Sequence, residues 1–177
     1  MKHTSSLLAA LVLAGASFAA PALAADVSSP DQALVFSNNS AYFGNAFVMD
    51  QINDTFADHF TFSVSGDPVN LDAIVASISR TAAVGLDITG LDLYGSSGLI
   101  TGGTLGQTGA QDVWTLTSNN LAAGNYYLQV SGTLVSNTSG AYGGALMLAP
   151  VPEPASYGLL LAGLGAVGFV VRKRRTR

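Results

Sequence analysis

Between residues 33 and 148, apolar and polar side chains alternate with period two, the spacing of half-buried β-strands. Phe56, Phe60, Phe62 and Val64 fall on one face of a strand, with Ala57, His59, Thr61 and Ser63 on the other. Leu71, Ala73 and Val75 alternate with Asp72, Ile74 and Ala76, a pattern expected of a strand covered on both faces. Leu86 and Ile88 match Leu91 and Leu93 only if the phase changes near Gly90, which predicts a bulge. Further runs centre on Trp114 and Leu116, on Tyr126, Leu128 and Val130, and on Tyr142, Leu146 and Leu148. Weaker runs at 33–36 and 41–49 bring the total to about eight short strands. Turn chemistry separates them, as in Gly66-Asp67-Pro68, Asn119-Asn120 and Ala123-Gly124-Asn125. The pattern predicts an all-β fold, a single antiparallel β-sandwich or jelly roll over residues 25–150.

The flanks break this pattern. Residues 1–24 have the layout of a signal peptide helix: Lys2, an apolar stretch from Leu7 to Phe18, and small residues at Ala22 and Ala24 that place a signal peptidase cut after Ala24. At the other end, residues 151–177 divide into a Val151-Pro152-Glu153-Pro154 motif, an uncharged segment 155–171 and a basic tail 172–177. As a helix the uncharged segment is about 26 Å long, and Arg172, Lys173, Arg174 and Arg175 can snorkel to complete a transmembrane helix. That basic cluster acts as a membrane stop and keeps the C-terminus cytoplasmic, with residues 25–150 outside. Two prolines hold Glu153 on extended backbone at the membrane surface.

Charge sharpens the division. Six of the seven basic residues sit at the two ends, and residues 25–150 carry ten aspartates against Arg80 alone, a net of −9. Such a domain repels phosphates, which disfavours nucleic acid as a partner. The absence of cysteine excludes disulfides, thiolate metal sites and cysteine nucleophiles. Six glycines lie between Gly95 and Gly109, but no lysine follows to meet a phosphate, so this stretch is read as a flexible or hairpin loop and not a nucleotide cradle.

The Pro-Glu-Pro triplet, apolar span and arginine-rich tail over 151–175 resemble a PEP-CTERM sorting signal. That resemblance implies a Gram-negative source with an exopolysaccharide system, and cutting near Pro152, Glu153 and Pro154 by exosortase, to which these residues are substrate. Phe56-Ala57-Asp58-His59-Phe60 resembles the motif of the FxDxF group of PEP-CTERM proteins, through Phe56, Asp58 and Phe60. Leu91-Asp92-Leu93-Tyr94 and the strand from Leu121 to Val130 are similar to a pre-peptidase C-terminal type of β-sandwich, which implies a non-catalytic accessory domain.

Asp58 shares a strand face with Phe56 and Phe60, so its carboxylate points into the core and must be hydrogen-bonded, paired or bound to a cation. Capping of turn amides or pairing with Arg80 is the expected solution. Calcium is the alternative, with Asp58, Asp54 and Asp92 as ligands, although no EF-hand spacing is present. His59 is the only histidine after the leader, and nothing marks a serine and an acid to join it, so no catalytic residue is assigned. Asn38, Asn53 and Asn137 begin glycosylation-like triplets but are read as turn residues. Together these observations predict an exported, non-enzymatic protein that passes through the inner membrane to the cell surface or an extracellular exopolysaccharide or biofilm matrix. A calcium- or glycan-binding module is the alternative, and a polysaccharide hydrolase the third reading.

Overall fold

The computed structural model describes residues 24–151 and a helix over 154–175, whose side chains are described at 157–167 and at Arg172. The leader with Ala22, and Pro152 and Glu153 of the sorting motif, lie outside the described residues.

Alternation becomes a two-layer sandwich of ten strands. They are β1 (Gln32–Ala33), β2 (Ser40–Phe47), β3 (Thr55–Val64), β4 (Val69–Ile78), β5 (Leu86–Gly95), β6 (Gly98–Gly102), β7 (Thr104–Gln107), β8 (Gln111–Leu121), β9 (Gly124–Leu134) and β10 (Gly140–Pro150), followed by α1 (Pro154–Arg175). The first sheet has the order β1-β3-β9-β5-β6 and the second β2-β10-β4-β8-β7. All pairings are antiparallel except β1 with β3. One core fills the space between the sheets, with Phe43, Phe47, Phe56, Phe60, Leu71, Leu91, Leu128 and Leu146 among its members. Every described residue of that core, and of the side chains packed on it, lies between Val27 and Leu148.

Two strand-level expectations change. Ten strands replace eight, because the Gly-rich stretch is ordered: β6 continues the first sheet beside β5 and β7 joins the second beside β8. Gly103 makes the crossing possible. Its amide donates to the Leu91 carbonyl at 2.6 Å, and a Cβ there would strike the Leu91 and Thr115 carbonyls. The outer face of β4 is not covered, and Asp72 and Ile74 face solvent because no layer of the described residues lies over the second sheet. The phase change near Gly90 is present as a register shift between Ile88 and Gly90 in the β5–β9 pairing.

Core aromatics use glycine partners across the ladder. Phe56 stands opposite Gly132, and Phe43 opposite Gly144. In both cases the ring lies where a Cβ of the glycine would be. The rings thereby cover backbone that glycine leaves bare. Asn38, Asn39 and Asn53 adopt left-handed φ of 50°, 64° and 69°, the turn role expected of them.

Gly132→Ala should therefore cost about 2 kcal/mol of unfolding free energy in urea titration, because Phe56 must leave its rotamer and the Asp87 carbonyl must shift. An unchanged midpoint would show that the ring is free to move.

Candidate functional site

A polar row crosses the inner face of the second sheet. Asn45 on β2 stands opposite Tyr142 on β10, Tyr142 opposite Ser77 on β4, and Ser77 opposite Asp112 on β8. Asp58 descends onto this row from β3 of the other sheet, as its place between Phe56 and Phe60 requires. It is fully buried, with 0% of its surface exposed. One carboxylate oxygen accepts the Ser29 amide at 2.6 Å; the other accepts Asn45 Nδ2 at 2.9 Å and a short hydrogen bond from the Tyr142 hydroxyl. Burial, together with the Asp58 bond and charge, raises the Tyr142 pKa far above that of free tyrosine, so the hydroxyl remains a donor. The backbone donor is the Ser29 amide, which lies in an extended segment and not in a turn. Arg80 is not a partner: it lies on the surface beside Phe47 and Gly85.

Asp112 is the second buried carboxylate, 1% exposed. It accepts Ser77 Oγ, the Ile88 amide and the Gly109 amide, each at 3.1 Å. Ile88 lies on the part of β5 that β6 does not pair, and its carbonyl accepts Trp114 Nε1 at 2.9 Å. Thus each sheet sends one carboxylate across the core to donors that include groups of the other sheet. Sequence reasoning passed over Asp112, although it shares the strand face of Trp114 and Leu116. It also missed Asn45 and Tyr142, which lie 13 and 84 residues from Asp58 and have no local signal.

The remaining candidates are scattered. Asp54 accepts the Ala25 amide at 2.8 Å in the turn before β3. Asp92 lies on the outer face of β5 against Gly90 and Gly102, and partial burial raises its pKa. Among the described residues no three histidine or acidic side chains stand close enough to hold a metal ion. His59 faces outward between Asp31, 3.2 Å from Nδ1, and Gln129, 3.1 Å from Nε2. Its ring lies 4.6 Å from that of Tyr127, which in turn stacks on Tyr94 at 4.9 Å and 3°.

At the C-terminal side, β10 ends at Pro150 and the Val151 amide still donates to the Pro68 carbonyl at 3.2 Å. Beyond it, α1 contains the predicted segment 155–171 and begins at Pro154, a residue suited to a helix start. Every described side chain from Tyr157 to Val167 is exposed, as is Arg172. Among the described residues, no helix is long and apolar enough to cross a membrane.

Asp58→Ala removes the acceptor of three donors, and should destabilise the domain by about 3 kcal/mol in chemical denaturation, with Asp58→Asn losing less. A second outcome concerns pH. Partial burial and the charge of Asp112 raise the pKa of Asp87, and burial raises that of Asp92. A raised folded-state pKa means that the folded state takes up protons more readily than the unfolded chain. The penalty is fully present at pH 7 and is relieved as pH falls toward the ordinary carboxylate range. The parent should gain more Tm, or lose less, on that acidification than the double variant Asp87→Asn, Asp92→Asn, while the Ser28 hydrogen bonds that lower the pKa of Asp26 act in the opposite sense in both. Parallel pH profiles would overturn the assignment.

With this geometry in place, similarity to known proteins can be stated. The chain is similar to the pre-peptidase C-terminal domain of a collagenase from Bacillus anthracis at 19% identity and a TM-score of 0.39, over 67% of this chain and 97% of that one. No curated protein matches it. Residues 150–175 match the PEP-CTERM protein-sorting motif. The chain thus carries the sorting address of an exported protein targeted to exosortase, starting where the last strand of its sandwich ends.

Proposed function

We propose that this protein is an exported, non-enzymatic component of the cell surface or the extracellular polysaccharide matrix, delivered there by exosortase processing. The carrying observation is the position of the sorting motif, which begins at residue 150 where β10 ends. A cut at Pro152-Glu153-Pro154 would leave every strand and the whole core in the released part.

An inner-membrane intermediate precedes that cut in this reading. Its support is the sequence alone: the uncharged segment 155–171 followed by Arg172, Lys173, Arg174 and Arg175, which in this reading stay cytoplasmic, whereas among the described residues no helix is long and apolar enough to cross a membrane. At the other end, a signal peptidase cut after Ala24 would turn the Ala25 amide into an ammonium. It would then lie 2.8 Å from the Asp54 carboxylate, so the new terminus would gain an ion pair in place of a hydrogen bond. The absence of an assigned catalytic group follows the same logic: the carboxylates of Asp58 and Asp112 and both ring nitrogens of His59 are engaged in bonds that hold the fold.

Glu153→Ala should leave the ectodomain attached to the inner membrane and absent from the surface and medium fractions. Release equal to that of the parent would overturn the sorting role of this motif.

A further inference from the structure

We propose that the outer face of the first sheet holds a binding site for neutral hexose chains, built around Tyr127. Alternation sends Tyr94, Tyr127, His59 and Thr61 to that face, and pairing aligns them: Tyr127 stands opposite both Tyr94 on β5 and Thr61 on β3, with His59 one diagonal away. The three rings form a row with spacings of 4.9 and 4.6 Å. Tyr127 is held between Tyr94 and His59, so little rotamer freedom remains to be lost when a ligand arrives.

Beside this row lies an open cavity of about 570 Å³, within the range of about 300–1,000 Å³ usual for small-molecule sites. Its polar lining comes from Thr61, Ser63, Ser96, Asn125 and Tyr127, and Ser63 Oγ orients Asn125 by donating to its Oδ1 at 2.7 Å. None of the side chains lining it carries a charge. On a domain of net −9 this is a local exception with a chemical meaning. Hydroxyl and amide groups can bond sugar hydroxyls in either direction, and Tyr127, one face of which is stacked on Tyr94, meets a ligand with its hydroxyl and ring edge. An anionic chain would meet the field of ten aspartates with no cation in the cavity to offset it. The site therefore suits an uncharged sugar.

This inference goes beyond the sorting reading, because the site lies wholly within residues 25–151 and its test does not depend on exosortase. His59 is the only histidine of that unit, so its ring protons give an isolated NMR signal 4.6 Å from Tyr127. Cellohexaose, maltohexaose and mannohexaose are titrated, with oligoalginate as the anionic control, into the ectodomain and into the full chain in detergent. At least one neutral oligomer should shift the His59 signal saturably at concentrations up to the order of 10 mM. Tyr127→Ala should weaken binding at least about tenfold, and Asn125→Ala, an exposed position that leaves the core intact, should weaken it measurably. Tyr42→Ala on the opposite sheet should not. Absence of a saturable shift with all three neutral oligomers would overturn the proposal. So would binding of oligoalginate alone, or equal losses from Tyr42→Ala and Tyr127→Ala.

Discussion

The two sheets are joined by carboxylates that cross the core. Asp58 reaches from β3 to Asn45 and Tyr142 of the second sheet, and Asp112 reaches from β8 to the Ile88 amide of the first. Apolar packing of Phe60, Leu91, Leu128 and Leu146 already rejects a one-residue slip, which would turn the apolar set of a strand outward. The carboxylates add to that choice. A shift by one residue would move Asp58 to the outer face and leave Tyr142, Asn45 and the Ser29 amide without their acceptor. The same residues account for the Phe-x-Asp-x-Phe spacing: two rings to fill the layer and one acid between them to orient it.

That arrangement explains how a domain with ten aspartates and one arginine can place two carboxylates in its interior. Among the described residues, no basic side chain bonds to either. Each is surrounded by neutral donors from amides, hydroxyls and a side-chain amide, which stabilise the charge without the desolvation of a second ion. The other acids described stay at or near the surface, and none of them lines the cavity beside Tyr127.

Much of the fold was legible because β-strands record their environment locally. Phe56, Asp58 and Phe60 announce one face, and the break at Gly90 announces a bulge that the β5–β9 ladder contains. The glycines between Gly95 and Gly109 misled, since glycine signals a turn in isolation. Here Gly103 admits a close backbone approach at the point where the chain passes from one sheet to the other. Ile74 misled in the opposite sense: an apolar side chain on the second face of β4 implies a cover, and none of the described residues supplies one.

By itself, the sequence determined the β-sandwich, the sorting motif after it and the inward direction of Asp58. These follow from composition and from a period of two, which are properties of neighbouring residues. Only the tertiary structure decided which donors meet Asp58, that Asp112 shares its row, and that Tyr94, Tyr127 and His59 stand side by side. Those facts depend on strand order and register between segments as far apart as β3 and β10. No local spacing encodes such pairings, because they are selected by the packing free energy of the whole sandwich.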